Sequence, residues 1–258
     1  LMDPQKNILV VSASKTRADD FSTFTQRLIH ELPILEHLKP REDQRSSKVS
    51  FDVGPARASH APSCKSMGIT SQLTGSRADL IIADDVESAN NSQTQLMRDR
   101  LSETVKEFDS IIKPEVGRVI FLGTPQTELS IYNQLEERGF KTQIWPARFP
   151  ENKAILNYGK KLAKSVIENK ENLKPGQALD PDRFDDVDLM EREASYGRSG
   201  FSLQFMLDTT LSDVNKYPLK LNDLIIMSGV SSWKEAPGKL QWANSLDQIK
   251  ALDPEIPN

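Results

Sequence analysis

Three short runs of apolar residues dominate the hydrophobic pattern of the chain, at 7–13, 79–84 and 117–122. Each run is continuous, which is typical of a strand that is buried on both faces of a parallel sheet. Apolar residues recur at helical spacing in two longer segments, 15–32 and 91–112. Strands that alternate with helices of this length predict an α/β fold with a mostly parallel sheet.

Weaker patterns surround these elements, and their character changes after Pro150. The weaker predicted elements are strands at 48–53, 65–70 and 141–145, and helices at 129–138, 152–170 and 185–208. Because the strand patterns end near residue 150, we predict a first domain over 1–150. We also predict a small, mainly helical subdomain over 151–210 and a tail over 211–258.

Composition excludes several classes of protein. Of 258 residues, 37% are hydrophobic and 27% are charged, which is a soluble globular balance with enough apolar mass for a core. The single cysteine, Cys64, cannot form an internal disulfide, and the three scattered histidines lack zinc-ligand spacing. No apolar run reaches the roughly 18 to 20 residues that span a bilayer. A net charge of −4 argues against a passive nucleic-acid coat, which is usually basic.

The run at 79–84 ends in paired acids, Asp84 and Asp85, and Glu87 follows two residues later. A parallel sheet would place these carboxylates at its carboxyl edge, where open α/β sheets bind ligands. In nucleotide-hydrolysing sheets, the first acid holds Mg²⁺ and the next orients or deprotonates the attacking water. The alternative is a solvated acidic turn before the next helix, because the helix dipole favours acids there.

The run at 117–122 is followed by Gly123-Thr124-Pro125-Gln126, at the same edge of the predicted sheet. Gly123 permits close backbone approach, and Thr124 and Gln126 could contact the terminal phosphate of a nucleotide. Taken alone, the stretch also fits a plain strand-to-helix turn. An acid-tipped strand, a long helix and then this second strand form the order expected of neighbouring strands in a motor ATPase.

The glycine-rich loop Gly-x-x-x-x-Gly-Lys-Ser/Thr, which grips the β- and γ-phosphates, does not occur in the sequence. Gly159-Lys160 is followed by lysine and Gly238-Lys239 by leucine, and neither follows a buried strand. Two explanations remain open: the loop lies upstream of Leu1, or the protein is not an ATPase. On the first, residues 1–258 alone are expected not to hydrolyse ATP.

An ordered series of stretches resembles the large terminase subunits of tailed phages, and most closely the DNA maturase B type of short-tailed podoviruses. The series includes Val-Ser-Ala-Ser-Lys at 11–15 and Ser-Phe-Asp-Val-Gly-Pro-Ala at 50–56. The remaining stretches lie at 68–70, 73–79, 81–87, 122–127, 145–147 and 200–207. They run in family order across roughly residues 7–220, which makes the series specific although each stretch alone is weak.

The resemblance implies an ASCE-type (P-loop) ATPase sheet that uses ATP and Mg²⁺, followed by a small linker subdomain. It places the phosphate loop before Leu1 and a metal-dependent nuclease domain of RNase H-like fold after Asn258. It further implies a homo-oligomeric ring that drives double-stranded DNA through a portal protein and works with a small terminase subunit. The expected location is the host cytoplasm, docked transiently at the procapsid portal, outside any membrane and absent from the mature virion.

The resemblance also carries roles to individual positions. Asp84 corresponds to the Mg²⁺-binding acid and Asp85 to the catalytic acid, with Glu87 as a reserve candidate. An Asp in the catalytic position is one methylene shorter than the Glu that many terminases have. The residues that correspond to the coupling motif, which converts phosphate release into subdomain motion, are Gly123, Thr124 and Gln126.

The sequence does not decide the roles of two arginines, Arg77 and Arg17, and two alternative functions of the protein also stay open. Arg77 is predicted at the opposite sheet edge from Asp84, in a structural or intersubunit contact. Arg17 lies nearer the nucleotide edge and fits either an exposed helix residue or an arginine that completes a neighbour's site. The competing functions are a helicase-like ATPase that remodels duplexes, and a non-catalytic product that binds a portal or small terminase subunit.

Overall fold

A computed structural model of the chain describes residues 3–127, 129–168 and 172–209. Five strands and eight α-helices form the described part. The strands are β1 (Ile8–Ser12), β2 (Ser50–Phe51), β3 (Cys64–Gly68), β4 (Leu80–Asp84) and β5 (Arg118–Leu122). The helices are α1 (Lys15–Glu31), α2 (Ala89–Ser92), α3 (Gln95–Lys106), α4 (Phe108–Ile111), α5 (Ile131–Gln134), α6 (Asn152–Tyr158), α7 (Lys164–Glu168) and α8 (Asp186–Gln204). Two 3₁₀-helices lie at Pro33–Leu38 and Gly159–Lys161.

The five strands form one sheet in the order β2-β3-β1-β4-β5. Strands β3, β1, β4 and β5 are parallel, and only the two-residue β2 is antiparallel to its neighbour. The α/β prediction with a mostly parallel sheet is therefore confirmed. The register aligns Ser12, Asp84 and Leu122, which are the last residues of β1, β4 and β5.

Helices cover the centre of the sheet on both faces, which explains the continuous apolar runs. On one face Val11 and Ile81 are buried in a cluster with helix residues. The helix residues in that cluster are Leu101 and Val105 of α3, Phe108 and Ile111 of α4, and Ile131 of α5. On the other face Val10 is buried with Ile29 of α1. Adjacent residues of β1 thus point into two separate cores, as alternation in a strand requires.

Strand β5 departs from the prediction of burial on both faces. Val119 and Phe121 pack against the core that contains α3 and α4. Ile120 and Leu122, on the opposite face, are 45% and 50% exposed in the described part of the chain. That second face of β5 is therefore an apolar surface without a covering helix among the described residues.

Several predicted elements are shorter than their sequence patterns suggested. The helix predicted at 91–112 is divided into α2, α3 and α4. The break between α2 and α3 falls at Thr94, which adopts an extended backbone and caps α3 through its side chain. The strand predicted at 141–145 is wrong, since Ile144 makes only a single bridge to Leu162. The expectation that helices alternate with strands throughout also fails between β3 and β4. The segment between β3 and β4 consists of turns, and its apolar side chains Ile69 and Leu73 are buried.

Residues after β5 build two further apolar clusters. One is formed around Phe149, Tyr158 and Leu162, and the other around Leu189 and Phe201. The helix predicted at 152–170 breaks near Gly159, which has φ of 56°. The predicted boundary near residue 150 stays a prediction, and the predicted tail at 211–258 lies outside the described residues. No helix in the described ranges has the length and apolarity to cross a membrane.

A partly buried ion pair links the elements at the amino edge of the sheet. Asp79 precedes β4, is 7% exposed, and lies 2.7 Å from the Lys113 ammonium. Its carboxylate also accepts a hydrogen bond of 2.9 Å from the backbone N–H of Asn7. Burial alone would raise the pKa of Asp79, but the Lys113 and Asn7 hydrogen bonds and the Lys113 and Lys6 charges together lower that pKa below its ordinary value. The pair therefore joins the start of β1, the start of β4 and the segment before β5.

Replacing Lys113 by methionine is expected to lower the free energy of unfolding by about 1–2 kcal/mol, because Asp79 loses its main cationic partner. The matched control, Lys106→Met, removes an exposed pair with Glu103 and is expected to change it by less than about 0.5 kcal/mol. Urea denaturation measures both. Because the folded pKa of Asp79 is lowered, the loss is full at neutral pH and disappears as pH falls through that pKa. Equal stability of Lys113→Met and wild type at pH 7 would contradict this role.

Candidate active site

The ends of three parallel strands meet at one rim of the sheet. Ser12, Asp84 and Leu122 are paired in register, so their side chains emerge on the same face. The backbone continues this alignment by one residue, because the N–H of Asp85 donates to Leu122 O at 2.9 Å. The predicted acid pair and the predicted loop after β5 are thus neighbours at the carboxyl edge of the sheet.

Asp84 presents a half-buried carboxylate that makes no hydrogen bond to any described residue. Burial first, and then the negative charge of Asp85, raise the pKa of Asp84, while the charge of Arg17 opposes them. This environment penalises the bare anion. A cation placed beside Asp84 would reverse that penalty, because it would favour the charged form.

Asp85 turns the chain sharply away from β4. Its φ of 45° is in the left-handed region, which Asp tolerates better than most non-glycine residues. The turn directs its carboxylate toward α1, where it lies 3.5 Å from the Arg17 guanidinium. Both side chains are substantially exposed, at 46% for Asp85 and 65% for Arg17, so this ion pair is weak and easily exchanged. Arg17, one of the two uncertain arginines, therefore contacts an acid of its own chain.

Ser12 is a further candidate for the site, and its role was not predicted from the sequence. It ends β1 beside Asp84, its side chain is 1% exposed, and its hydroxyl has no hydrogen-bond partner among the described residues. A buried hydroxyl without a partner is costly, and such groups occur where a ligand or ion completes the site. The signal was present in the sequence, since Ser12 closes the run at 7–13 as Asp84 closes the run at 79–84.

Glu87 has a different environment from Asp84 and Asp85. It is 2% exposed, and its carboxylate accepts three hydrogen bonds. The donors are the N–H of Gln126 at 2.9 Å, the hydroxyl of Ser130 at 2.9 Å and the N–H of Ile131 at 2.7 Å. Glu87 therefore joins the loop after β4 to the loop after β5 and to the start of α5.

The loop after β5 lies where its motif placed it, beside the loop after β4. The Gln126 side chain donates to the Thr124 carbonyl at 3.1 Å, while the Gln126 N–H is held by Glu87. Gly123 is required here, because a Cβ at this position would collide with the hydroxyl of Tyr132. The close approach predicted for Gly123 is thus made by an aromatic side chain of the same protein.

Tyr132 is the second site residue without a motif signal. Its hydroxyl lies over Gly123 and 3.4 Å from Leu122 O. Burial raises the pKa of the Tyr132 hydroxyl, and the charges of Glu87, Asp85 and Asp84 raise it further against a hydrogen bond at the Glu87 backbone. The hydroxyl consequently stays protonated and can act as a donor toward this rim. Only the fold brings it there, because Tyr132 belongs to a separate short helix.

The donor set fits a magnesium ion that binds together with phosphates. Within residues 3–127, 129–168 and 172–209, no group of three or more His, Cys, Asp or Glu side chains is arranged to hold a metal. Magnesium in phosphate sites is held by one or two carboxylates, with waters and substrate phosphates completing its shell. Asp84, without hydrogen-bond partners, and the buried hydroxyl of Ser12 match that requirement.

Glu87→Gln is expected to lower the free energy of unfolding by about 1–3 kcal/mol, because one amide oxygen cannot replace a carboxylate that accepts three bonds. The same change should speed hydrogen exchange at the Gln126 and Ile131 amides. The exposed Glu103→Gln serves as the matched control and should shift stability by less than about 0.5 kcal/mol. Chemical denaturation and amide exchange test both variants; unchanged exchange at both amides in Glu87→Gln would refute the link.

Comparison with known proteins shows one clear relative of the chain. No family model matches the chain. The chain is 50% identical, over an alignment of 262 residues, to a protein described as "Terminase, large subunit" from Enterobacteria phage T3. The alignment covers 99% of this chain and 44% of that relative, so the chain spans less than half of the relative's length. With half of its residues identical along nearly its whole length, the chain belongs to the family of phage terminase large subunits.

Proposed function

We propose that the full-length protein is the ATP-hydrolysing subunit of a viral terminase, which packages double-stranded DNA into procapsids. The observation that carries the proposal is the adjacency of Asp84, Asp85 and the loop 123–126 at the carboxyl rim of a parallel sheet. That rim is where open α/β sheets bind ligands. The similarity to a terminase large subunit supplies the biological context.

In this proposal, different residues of the rim bind the metal ion and activate the attacking water. Asp84 would hold Mg²⁺, and the ion would supply positive charge to the nucleotide's phosphates. Ser12 supplies a second oxygen beside Asp84. Asp85 orients or deprotonates the attacking water, after its exposed ion pair with Arg17 has opened. Asp85 is favoured over Glu87 for this step because the Glu87 carboxylate is buried and already accepts three hydrogen bonds.

Coupling is assigned to the connection between the two loops. Thr124 and Gln126 lie after β5, and the N–H of Gln126 is bound by the Glu87 carboxylate. A shift of the loop after β4 on phosphate release would therefore be passed to the loop after β5 and to α5 through one buried carboxylate. Hydrogen-bond networks are among the physical connections that carry coupling between two parts of a protein.

The exposed face and the unpaired edge of β5 support a P-loop type of ATPase fold. Ile120 and Leu122 are about half exposed, and the described chain pairs β5 only with β4. Parallel sheets are normally covered on both faces, and the unpaired backbone groups of an edge strand can accept a further strand. We propose that the segment with the phosphate-gripping loop, which the relative's greater length has room for, adds to this edge and face.

The partners and setting of the full-length protein follow from the same proposal. We propose a homo-oligomeric ring that acts on double-stranded DNA together with a portal protein and a small terminase subunit. Its place is the host cytoplasm during phage assembly, docked transiently at the procapsid. A nuclease domain that cuts the packaged DNA belongs to the full-length protein in this proposal.

Asp84→Asn and Asp85→Asn in the full-length protein are each expected to lower DNA-stimulated ATP hydrolysis by about 100-fold or more. Asp84→Asn should raise the Mg²⁺ concentration that half-saturates the rate, whereas Asp85→Asn should lower kcat with the Mg²⁺ requirement unchanged. Asp99→Asn, exposed on α3, is the matched control and should retain normal rates. Hydrolysis and packaging by both rim variants at wild-type rates would refute the site.

Ser12→Ala separates a ligand role from a packing role. Because the hydroxyl has no partner among the described residues, its removal is expected to change the free energy of unfolding by less than about 1 kcal/mol. The same variant should require several times more Mg²⁺ for half-maximal ATP hydrolysis, as Asp84→Asn does. Thermal denaturation and magnesium titration measure the two effects. A normal magnesium requirement would remove Ser12 from the site.

A further inference from the structure

A cavity lies at the amino edge of the sheet, the edge opposite to Asp84 and Asp85. It has a volume of about 320 Å³ and is lined by residues that precede or begin β1, β3 and β4. Its polar and charged walls include Asn7, His60, Lys65, Ser76, Arg77 and Lys113. No acidic side chain is among the residues that line it. At this edge the sequence predicts only a structural or intersubunit contact for Arg77.

Two cations of this cavity are held close together by one residue. The Lys65 ammonium donates to the Ser76 hydroxyl at 3.2 Å, and the Arg77 guanidinium donates to the Ser76 carbonyl at 3.1 Å. Arg77 also donates to the Ser110 carbonyl at 3.3 Å. These neutral partners position the two groups without cancelling their charges. Neither Lys65 nor Arg77 has a carboxylate partner among the described residues.

The third cation, Lys113, is neutralised and acts as scaffold. Its ammonium lies 2.7 Å from the Asp79 carboxylate and 2.9 Å from the side-chain oxygen of Asn7. The Asp79–Lys113 pair thus fixes one wall of the cavity, and the Asp79 carboxylate is already neutralised by Lys113. The unopposed charge therefore comes from Lys65 and Arg77, on a wall built around Ser76.

We propose that this cavity binds a phosphate group, in the backbone of DNA or as free phosphate. Arginine presents a planar fork that matches the oxygens of phosphate, and lysine adds a compact point charge. A tetrahedral oxyanion has enough acceptors to bind both cations and the Ser76 hydroxyl at once. The volume is at the lower end of the range for ligand pockets, which suits a phosphate with part of its sugar. The site is separate from the proposed nucleotide rim and does not depend on ATP hydrolysis there.

The first test uses the full-length protein and a fluorescein-labelled DNA duplex, without Mg²⁺ or nucleotide, so that the Asp84 rim contributes nothing. Arg77→Ala and Lys65→Ala should each weaken duplex binding roughly three- to tenfold in fluorescence anisotropy. Each should also reduce the slope of log affinity against log salt by about 0.9, because one phosphate contact is lost. Arg100→Ala, an exposed arginine on α3, is the matched control and should bind as wild type.

The second test separates the two sources of phosphate. Calorimetric titration with inorganic phosphate should detect binding that Arg77→Ala abolishes if the ligand is free phosphate, and duplex affinity would then be unchanged. Arg77→Lys keeps the charge without the fork and should bind intermediately in either arm, which excludes misfolding as the cause. The proposal is overturned if Lys65→Ala/Arg77→Ala binds both probes as Arg100→Ala does. It is equally overturned if that double variant alters only the oligomeric state by sedimentation, since the cations would then pair with a second copy.

Discussion

The in-register pairing of parallel strands is the constraint on which the rest of this structure depends. It places Ser12, Asp84 and Leu122 in one row at the carboxyl edge of the sheet. Side chains alternate along a strand, so a slip of one residue in β4 would turn Asp84 toward the core that contains Val105 and Phe108. The burial of Ile81 and Ala83 in that core fixes the register, and thereby directs the acid to the other face. A packing requirement thus determines where the chemistry can occur.

The polar groups at the rim separate into those that are satisfied and those that are not. Glu87 is fully buried, and three donors compensate its charge, so the protein itself uses this carboxylate as a connection. The side chains of Asp84 and Ser12 lie beside each other, and neither makes a hydrogen bond to the described chain. A buried polar group without a hydrogen-bond partner destabilises the folded protein. We therefore expect a ligand or ion from outside the chain to bind these two side chains. Asp85 differs from Glu87 as well, because its carboxylate is 46% exposed and has only an exposed ion pair with Arg17.

Sequence reasoning succeeded where the information was local. The strands that carry Asp84 and Gly123 could be found because a buried parallel strand is a continuous apolar run with an abrupt polar end. It failed where tertiary contacts decide. The helix breaks at Thr94 and Gly159 depend on backbone choices that apolar spacing does not encode. Tyr132 reaches the rim only because α5 begins on the Glu87 carboxylate, a contact across more than forty residues. The exposure of Ile120 and Leu122 reflects which helices surround β5, and their own side chains look like those of any core strand.

Strand β4 connects the two proposed sites, because a cationic residue precedes the strand and an acidic residue ends it. Arg77 precedes the strand at a cationic cavity, and Asp84 ends it at an acidic rim. The five residues of β4 span roughly 16 Å and are hydrogen-bonded to both neighbouring strands, so the strand holds its two ends at a fixed separation. The Asp79–Lys113 pair fastens the amino end, while the bond from Asp85 to Leu122 fastens the carboxyl end. A chain with a net charge of −4 can therefore still present a localised positive site for phosphate, because binding responds to the charge nearest the ligand and more distant charges are screened.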